Sequence, residues 1–281
     1  MTTTGEELSV TASSSPEPVS VPRVSKEQLY TLLSIMSPFV LLLLWEVTVR
    51  VGILDVRFFP PPSEISQMMA EMIASGELFE HLSASLRRII LGFLLGAIPG
   101  ICLGLLVGWF RTVRAIVDPL VAALYPIPKI ALLPLLLVIF GIGEASKVIA
   151  VAIAGFFLVL ISTAHGVKQI DPVLIQAAEN YGARRWKLFT KVILPASLPA
   201  IFTGLRLSLG ISLLIIVAAG FVAAKEGIGF LIWMSWSTLS VNKMYVGLVV
   251  IGFLGLLFTH GLEYVGRRVM PWAQDVQTRT Q

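Results

Sequence analysis

Six apolar stretches, each about as long as a bilayer's hydrocarbon core is thick, follow one another through this chain, and no other feature restricts its architecture as tightly. At roughly 20 residues apiece, they run from Thr31 to Arg50, Leu86 to Phe110, Leu120 to Phe140, Lys147 to Val167, Leu198 to Ala223 and Met244 to Val265. Lipid offers a backbone no hydrogen-bond partner, so segments of this length cross only as helices. The predicted fold class is therefore all-α, a polytopic membrane protein with about six transmembrane helices. Only 14% of the 281 residues are charged, against about a quarter in soluble domains, and mean hydropathy is +0.86.

Orientation follows from Lys and Arg in the connecting loops. With the N-terminus inside, the cytoplasmic segments hold twelve basic residues, among them Arg23, Arg114, Arg184, Lys191 and Arg279. The outer segments hold seven, among them Arg57, Arg87, Arg88 and Lys225. Both termini are thus expected in the cytoplasm. Arg87 and Arg88 fall on the disfavoured side and must snorkel or face other protein. Residues 1–28 read as a disordered cytoplasmic tail and 270–281 as a cytoplasmic C-terminal tail. No basic region precedes a short apolar stretch and cleavage site, so no removable signal peptide is expected. The single cysteine, Cys102, excludes an intrachain disulfide. Membrane topology accounts for the positive charge, and no nucleic-acid partner is expected.

Between the fourth and fifth spans lies a polar island, Asp171 to Pro195, predicted as two short helices. Asp171 can cap the first, Pro172 suits its first turn, and Gly182 breaks the run before Ala183 starts the second. Leu174, Ala177, Ala178 and Tyr181 form an i, i+3, i+4, i+7 stripe of mostly small side chains that fits a partner's groove. Pro195 is expected to end the island.

Two spans carry special backbone features. Gly92, Gly96, Gly100, Gly104 and Gly108 recur every four residues in the second, making a flat face for close helix packing, with Pro99 as a kink. In the third, Pro126, Pro128 and Pro134 cannot share an unbroken α-helix. Irregular backbone at membrane depth must face protein or a watery cavity. After the first span, Ser63 is expected to cap an amphipathic helix from Glu64 to Ser75.

Ala177, Ala178, Gly182, Val192, Leu194 and Pro195 resemble the E-A-A signature of ABC-importer permeases: E-A-A, three residues, Gly, nine residues, Ile, one residue, Leu-Pro. Gln176 replaces the Glu and Val192 the Ile. The Pro-broken third span, with Phe140 to Glu144 after it, is similar to permeases of the taurine, alkanesulfonate, nitrate and bicarbonate group. The resemblance covers roughly residues 80–270 and implies the type I ABC importer permease fold, with a permease domain over residues 29–269.

By that resemblance, Gln176, Ala177, Ala178, Gly182, Leu194 and Pro195 couple the chain to a cytoplasmic ATPase. A periplasmic or lipid-anchored substrate-binding protein delivers the solute, and two permease chains, as a homodimer, form the channel in the cell inner membrane. ATP and Mg belong to the ATPase, and this chain is expected to bind no cofactor or metal. The implied cargo is a sulfonate, taurine or an oxyanion such as nitrate; a thiamine precursor, riboflavin or an aromatic acid is the alternative, and a secondary transporter is a weaker rival. Related permeases usually carry Glu where this chain has Gly220.

Nothing in the remaining residues assembles an enzyme. His81, His165 and His260 are isolated, and no metal-ligand pair or carboxylate dyad occupies a span. Gly141 to Lys147 superficially resembles a phosphate loop, but Ser146 stands for the second Gly and Val148 for the Mg²⁺-holding Ser or Thr. Lys129 either attracts an anionic substrate or snorkels. Glu46 and Arg206 read as interfacial, and Glu144 with Lys147 as a solvated pair. Pathway contacts are expected from Pro126, Pro128, Lys129, Pro134, Ser208 and Ser212, with Ser162 and Thr163 as further polar candidates.

Overall fold

A computed structural model describes residues 26–273. Most of the two expected tails, with Arg23 and Arg279, therefore lies outside the described residues. The chain forms eleven α-helices among them: α1 (Lys26–Arg50), α2 (Pro62–Ala74), α3 (Glu77–Trp109), α4 (Arg111–Leu124), α5 (Leu133–Phe140), α6 (Glu144–Lys168), α7 (Pro172–Asn180), α8 (Trp186–Leu188), α9 (Leu194–Ala223), α10 (Ile228–Ser237) and α11 (Val241–Val269). Helix α1 begins at Lys26, inside the segment expected as tail.

The glycine stripe of α3 sets the architecture. Its partner is α6, and the register is parallel: a Cβ on Gly92 would stand 2.7 Å from the Val148 oxygen, one on Gly100 3.0 Å from the Phe156 oxygen, and one on Gly104 2.7 Å from Thr163 Cβ. At Gly96 and Gly108 it would overlap the Ala152 carbonyl and the Val167 side chain. The stripe is thus an intramolecular seam, where missing side chains let two backbones touch.

Two parallel helices cannot be joined by a turn. Residues 110–143 must return from the end of α3 to the start of α6, which lie at opposite ends of the bundle. They do so as α4, a 3₁₀ turn at Lys129–Leu132 and α5, bent by 84° at the break. Pro126 and Pro128 occupy the break, and Pro134 opens α5, where its missing N–H costs nothing. The predicted interruption is present, and the bent pair stands as a sixth candidate span beside five long apolar helices.

On its other side α6 meets α9 in antiparallel register, with Gly155 against Ser208, Gly204 against Ser162 and Gly166 against Ala200. Helix α11 runs antiparallel to α9, and Arg206 pairs with Glu263 across them at 3.1 Å; the expected interfacial role of Arg206 gives way to a helix-pairing one. Helix α10 crosses α9 where Gly220 meets Gly229, so closely that a Cβ on Gly220 would lie 2.6 Å from the Gly229 Cα. The absence of Glu at 220 has a physical reason: there is no volume for one.

The long helices outrun their predictions because they project beyond the apolar zone. At about 1.5 Å per residue, the 33 residues of α3 exceed a hydrocarbon core of about 30 Å, and its first turns carry Glu77, Glu80, His81 and Arg88. Helix α1 stands apart, with 6% of its apolar window buried. It is clasped only at its C-terminal end. Glu46 accepts from the Ser63 amide at 3.0 Å and hydroxyl at 2.8 Å, and Trp45 packs on Tyr245. Ser63 is therefore not the cap of α2. The N-cap is Pro61 with Pro62 following, and a carboxylate from α1 satisfies the freed amide.

Candidate functional site

At the end of the bundle where α3 and α6 terminate, residues 169–195 fold into a compact two-helix projection. Asp171 caps α7 as predicted, accepting from the Val173 amide at 2.8 Å, with Pro172 in the first turn. The helix closes in a Schellman motif: Gly182 donates to the Glu179 carbonyl and Ala183 to the Ala178 carbonyl, both at 2.9 Å, while Gly182 adopts φ +81°. Ala178 and Ala183 then turn together into an apolar cluster with Ile175, Leu188, Ile193 and Val167. The spacing from Ala178 to Gly182 is that of a helix stop and its hydrophobic contact.

The second helix begins at Trp186 rather than Ala183, after Arg185 at φ +44°. It does not stop at Pro195. It passes through a π-helical turn, Phe189–Ile193, directly into α9, with Pro195 in the first turn of that helix. Pro195 has no N–H for the carbonyl one turn back, so the wider π hydrogen-bonding pattern falls where an α ladder would already be missing a donor.

The predicted stripe is split between two faces. Leu174, Gln176 and Ala177 are exposed, with Tyr181 at 93% and Trp186 at 72%, whereas Ala178, Leu194 and Pro195 are half-buried. An apolar, aromatic face thus looks outward while a second apolar face anchors the projection. Arg184, Arg185, Lys187 and Lys191 flank the outward face and are all exposed.

At the opposite end, the structure assembles a charged node that sequence reasoning missed. Arg88, 2% exposed, binds Glu144 through Nε at 2.7 Å and Nη2 at 2.5 Å, and reaches the Glu226 carbonyl at 2.8 Å and its carboxylate at 3.0 Å. Arg87 joins at 3.3 Å from Glu144, and Lys147 is buried beside them. Glu144 and Lys147 are therefore not a solvated pair. One turn above, Ser85 accepts from the Ile228 amide at 2.8 Å and His81 from the Gly227 amide at 3.2 Å. His81, Ser85 and Arg88 continue the face that holds the glycines, so α3 offers polar groups to the start of α10 and a flat seam to α6. The partners lie 56 to 146 residues apart, beyond any local motif. The only local signal was the pair of arginines on the disfavoured side.

The candidate pathway residues are dispersed. Lys129 folds back on its own chain: its Nζ donates to the carbonyls of Leu124 at 2.7 Å, Tyr125 at 3.1 Å and Ile127 at 3.0 Å, and lies 4.4 Å from the Phe157 ring centroid. It closes the C-terminal end of α4. Pro126 and Pro128 are exposed beside it. Ser208 and Ser212 are fully buried on α9, where Ser212 donates to the Ser208 carbonyl and Ser208 faces Gly155. Among the described residues, no group of three His, Cys, Asp or Glu side chains is placed to hold a metal.

Residues 100–271 match the family described as binding-protein-dependent transport system inner membrane component. The chain is 36% identical over 250 residues to the taurine transport system permease protein TauC of Escherichia coli, covering 87% of this chain and 91% of that one. It is 34% identical to the putative aliphatic sulfonates transport permease protein SsuC of Bacillus subtilis, over 86% and 88% of the two chains. With the nitrate import permease protein NrtB of Leptolyngbya laminosa it shares 34% identity, over 69% and 70%. In fold it is similar to a chain of the MetNI methionine ABC transporter, with a TM-score of 0.53 at 22% identity, covering 66% of this chain and 93% of that chain.

Proposed function

This chain belongs to the binding-protein-dependent transport system inner membrane components, the permeases of ABC importers, and from that membership we propose that its 171–195 projection docks a cytoplasmic ATPase and that its cargo is a small sulfonate or oxyanion. The observation that carries the docking role is the two-faced construction of the projection. One face is buried against α3, α6 and α9, and the other presents Leu174, Ala177, Tyr181 and Trp186 to a partner. Buried aromatic anchors are what a docking contact needs, and the flanking Arg184, Arg185, Lys187 and Lys191 favour an acidic rim on the ATPase cleft.

In the proposed cycle, two copies of the chain form the channel and both termini lie in the cytoplasm. The ATPase holds ATP and Mg, and its closure moves the projections and switches the pathway between inward-facing and outward-facing states. Gln176 lacks the carboxylate of the family signature, so contact rests on shape and on the flanking cations. The sulfonate or oxyanion reading rests on the names of the relatives: taurine, aliphatic sulfonates and nitrate.

Ala177→Arg tests the docking role. In the complex reconstituted with its ATPase and binding protein, solute-stimulated ATP hydrolysis should fall at least tenfold, with insertion and thermal stability unchanged. Normal coupling in that variant would refute the role.

A further inference from the structure

Three cations share two carboxylates at the node. Arg87, Arg88 and Lys147 face Glu144 and Glu226, which leaves one positive charge over. Arg88 takes both carboxylates at hydrogen-bond distance. The Lys147 Nζ is left 3.9 Å from Glu144, beyond hydrogen-bond reach, and the structure shows no hydrogen bond for it among the described residues. Its side chain is only 5% exposed. The stem is buried while the Nζ itself keeps contact with the solvent of an open cavity, which leaves the ammonium placed to meet an acceptor from that side.

Lys147 lines a cavity of about 410 Å³ together with Glu80, Arg88, Glu144, Lys225 and Glu226. On its walls Arg88, Lys147 and Lys225 balance Glu80, Glu144 and Glu226, and the excess charge is that of Arg87, which reaches Glu144 and Glu226 from outside the lining. With Arg87 engaging both shared carboxylates, Lys147 is the cation at the cavity whose charge is least neutralised, and positive charge beside a hollow draws anions.

We propose that this cavity binds a small monovalent sulfonate or oxyanion through Lys147 Nζ, at the end of the bundle opposite the docking projection. The site deepens the reading given above and rests on it in one respect only, that the bound anion is the solute awaiting passage. Lys147 is the direct ligand because it alone among the node's buried cations has no hydrogen bond. Arg88 is a positioning residue that holds Glu144 away from it.

The test uses the full-length chain in lipid nanodiscs and follows its thermal unfolding midpoint. Potassium gluconate is replaced stepwise by methanesulfonate, nitrate or chloride at constant ionic strength. Methanesulfonate and nitrate should raise the midpoint saturably in the wild type. Lys147→Met should weaken half-saturation at least tenfold, and Lys147→Arg should restore it. A flat wild-type response, or an unchanged response in Lys147→Met, overturns the proposal; if Lys147→Met does not insert, the wild-type titration and Lys147→Gln decide on the same criteria. Stabilisation by chloride alone overturns the oxyanion assignment. No ATPase is needed for this readout, so failure of the docking reading would leave it untouched.

Discussion

Ala183 donates its amide hydrogen to the Ala178 carbonyl at 2.9 Å, with Gly182 between them at φ +81°. A Cβ at 182 would meet nothing within 4 Å, so the demand for glycine is one of backbone conformation alone. Gly182→Val should cost about 1–2 kcal/mol locally and uncouple the ATPase, whereas Gly182→Asn should retain most activity because Asn tolerates the left-handed region. Solute-stimulated ATP hydrolysis in the reconstituted complex separates the two; equal loss in both would show that steric fit to the partner sets the requirement.

The α3–α6 seam predicts a contrast between glycines. Gly96→Ala drives a methyl into the Ala152 carbonyl and should destabilise by about 1–3 kcal/mol. Gly210→Ala, with no atom within 4 Å of its Cβ, should be neutral or slightly stabilising in a helix. Unfolding in mixed micelles measures both.

Arg88→Met should destabilise the chain, because Glu144 and Glu226 would keep their charges without their shared guanidinium. The loss should fall at or below the lower end of the roughly 3–5 kcal/mol seen for broken buried pairs, since both carboxylates keep access to water. Adding Glu144→Gln and Glu226→Gln should recover part of it, and a double-mutant cycle reads the coupling directly.

Gly220→Glu puts a carboxylate at the close crossing of α9 and α10, where it should be harmful. The side chain would have to displace the Gly229 backbone, separating α9 from α10. Reduced expression and loss of uptake are expected, and a fully active Gly220→Glu transporter would contradict the close crossing.

Tyr181→Ala and Trp186→Ala should leave thermal stability within about 0.5 kcal/mol, as expected for surface positions, while weakening co-purification of the ATPase severalfold. A large fall in stability would instead make these side chains part of the fold.

Much of the fold was legible because it is written in local backbone chemistry. The three prolines, Asp171 and Gly182 each act within a turn or two of their own position, and the Gly92 to Gly108 spacing announces a flat helix face although its partner, α6, lies more than fifty residues on. The misreadings concern partners distant in sequence. Ser63 looked like a cap until Glu46 from α1 took its amide, and Glu144 looked like a partner for Lys147 alone until Arg88 met it from another helix. Pro195 looked like a stop, but its neighbours absorbed the missing donor in a π turn. The split of Ala178 from Leu174 and Ala177 depends on which face α8 and α9 cover, which periodicity alone leaves open.

The parallel seam also has a mechanical consequence. Helix α6 carries Glu144 at one end and leads into the 171–195 projection at the other, and the glycine contacts pack it on α3 along nearly its whole length. The pair forms a strut about 37 Å long at about 1.5 Å per residue. On the proposed docking role, a stroke delivered to residues 171–185 would reach the Arg88–Glu144 node through this one packed pair, gearing the two ends of the bundle together.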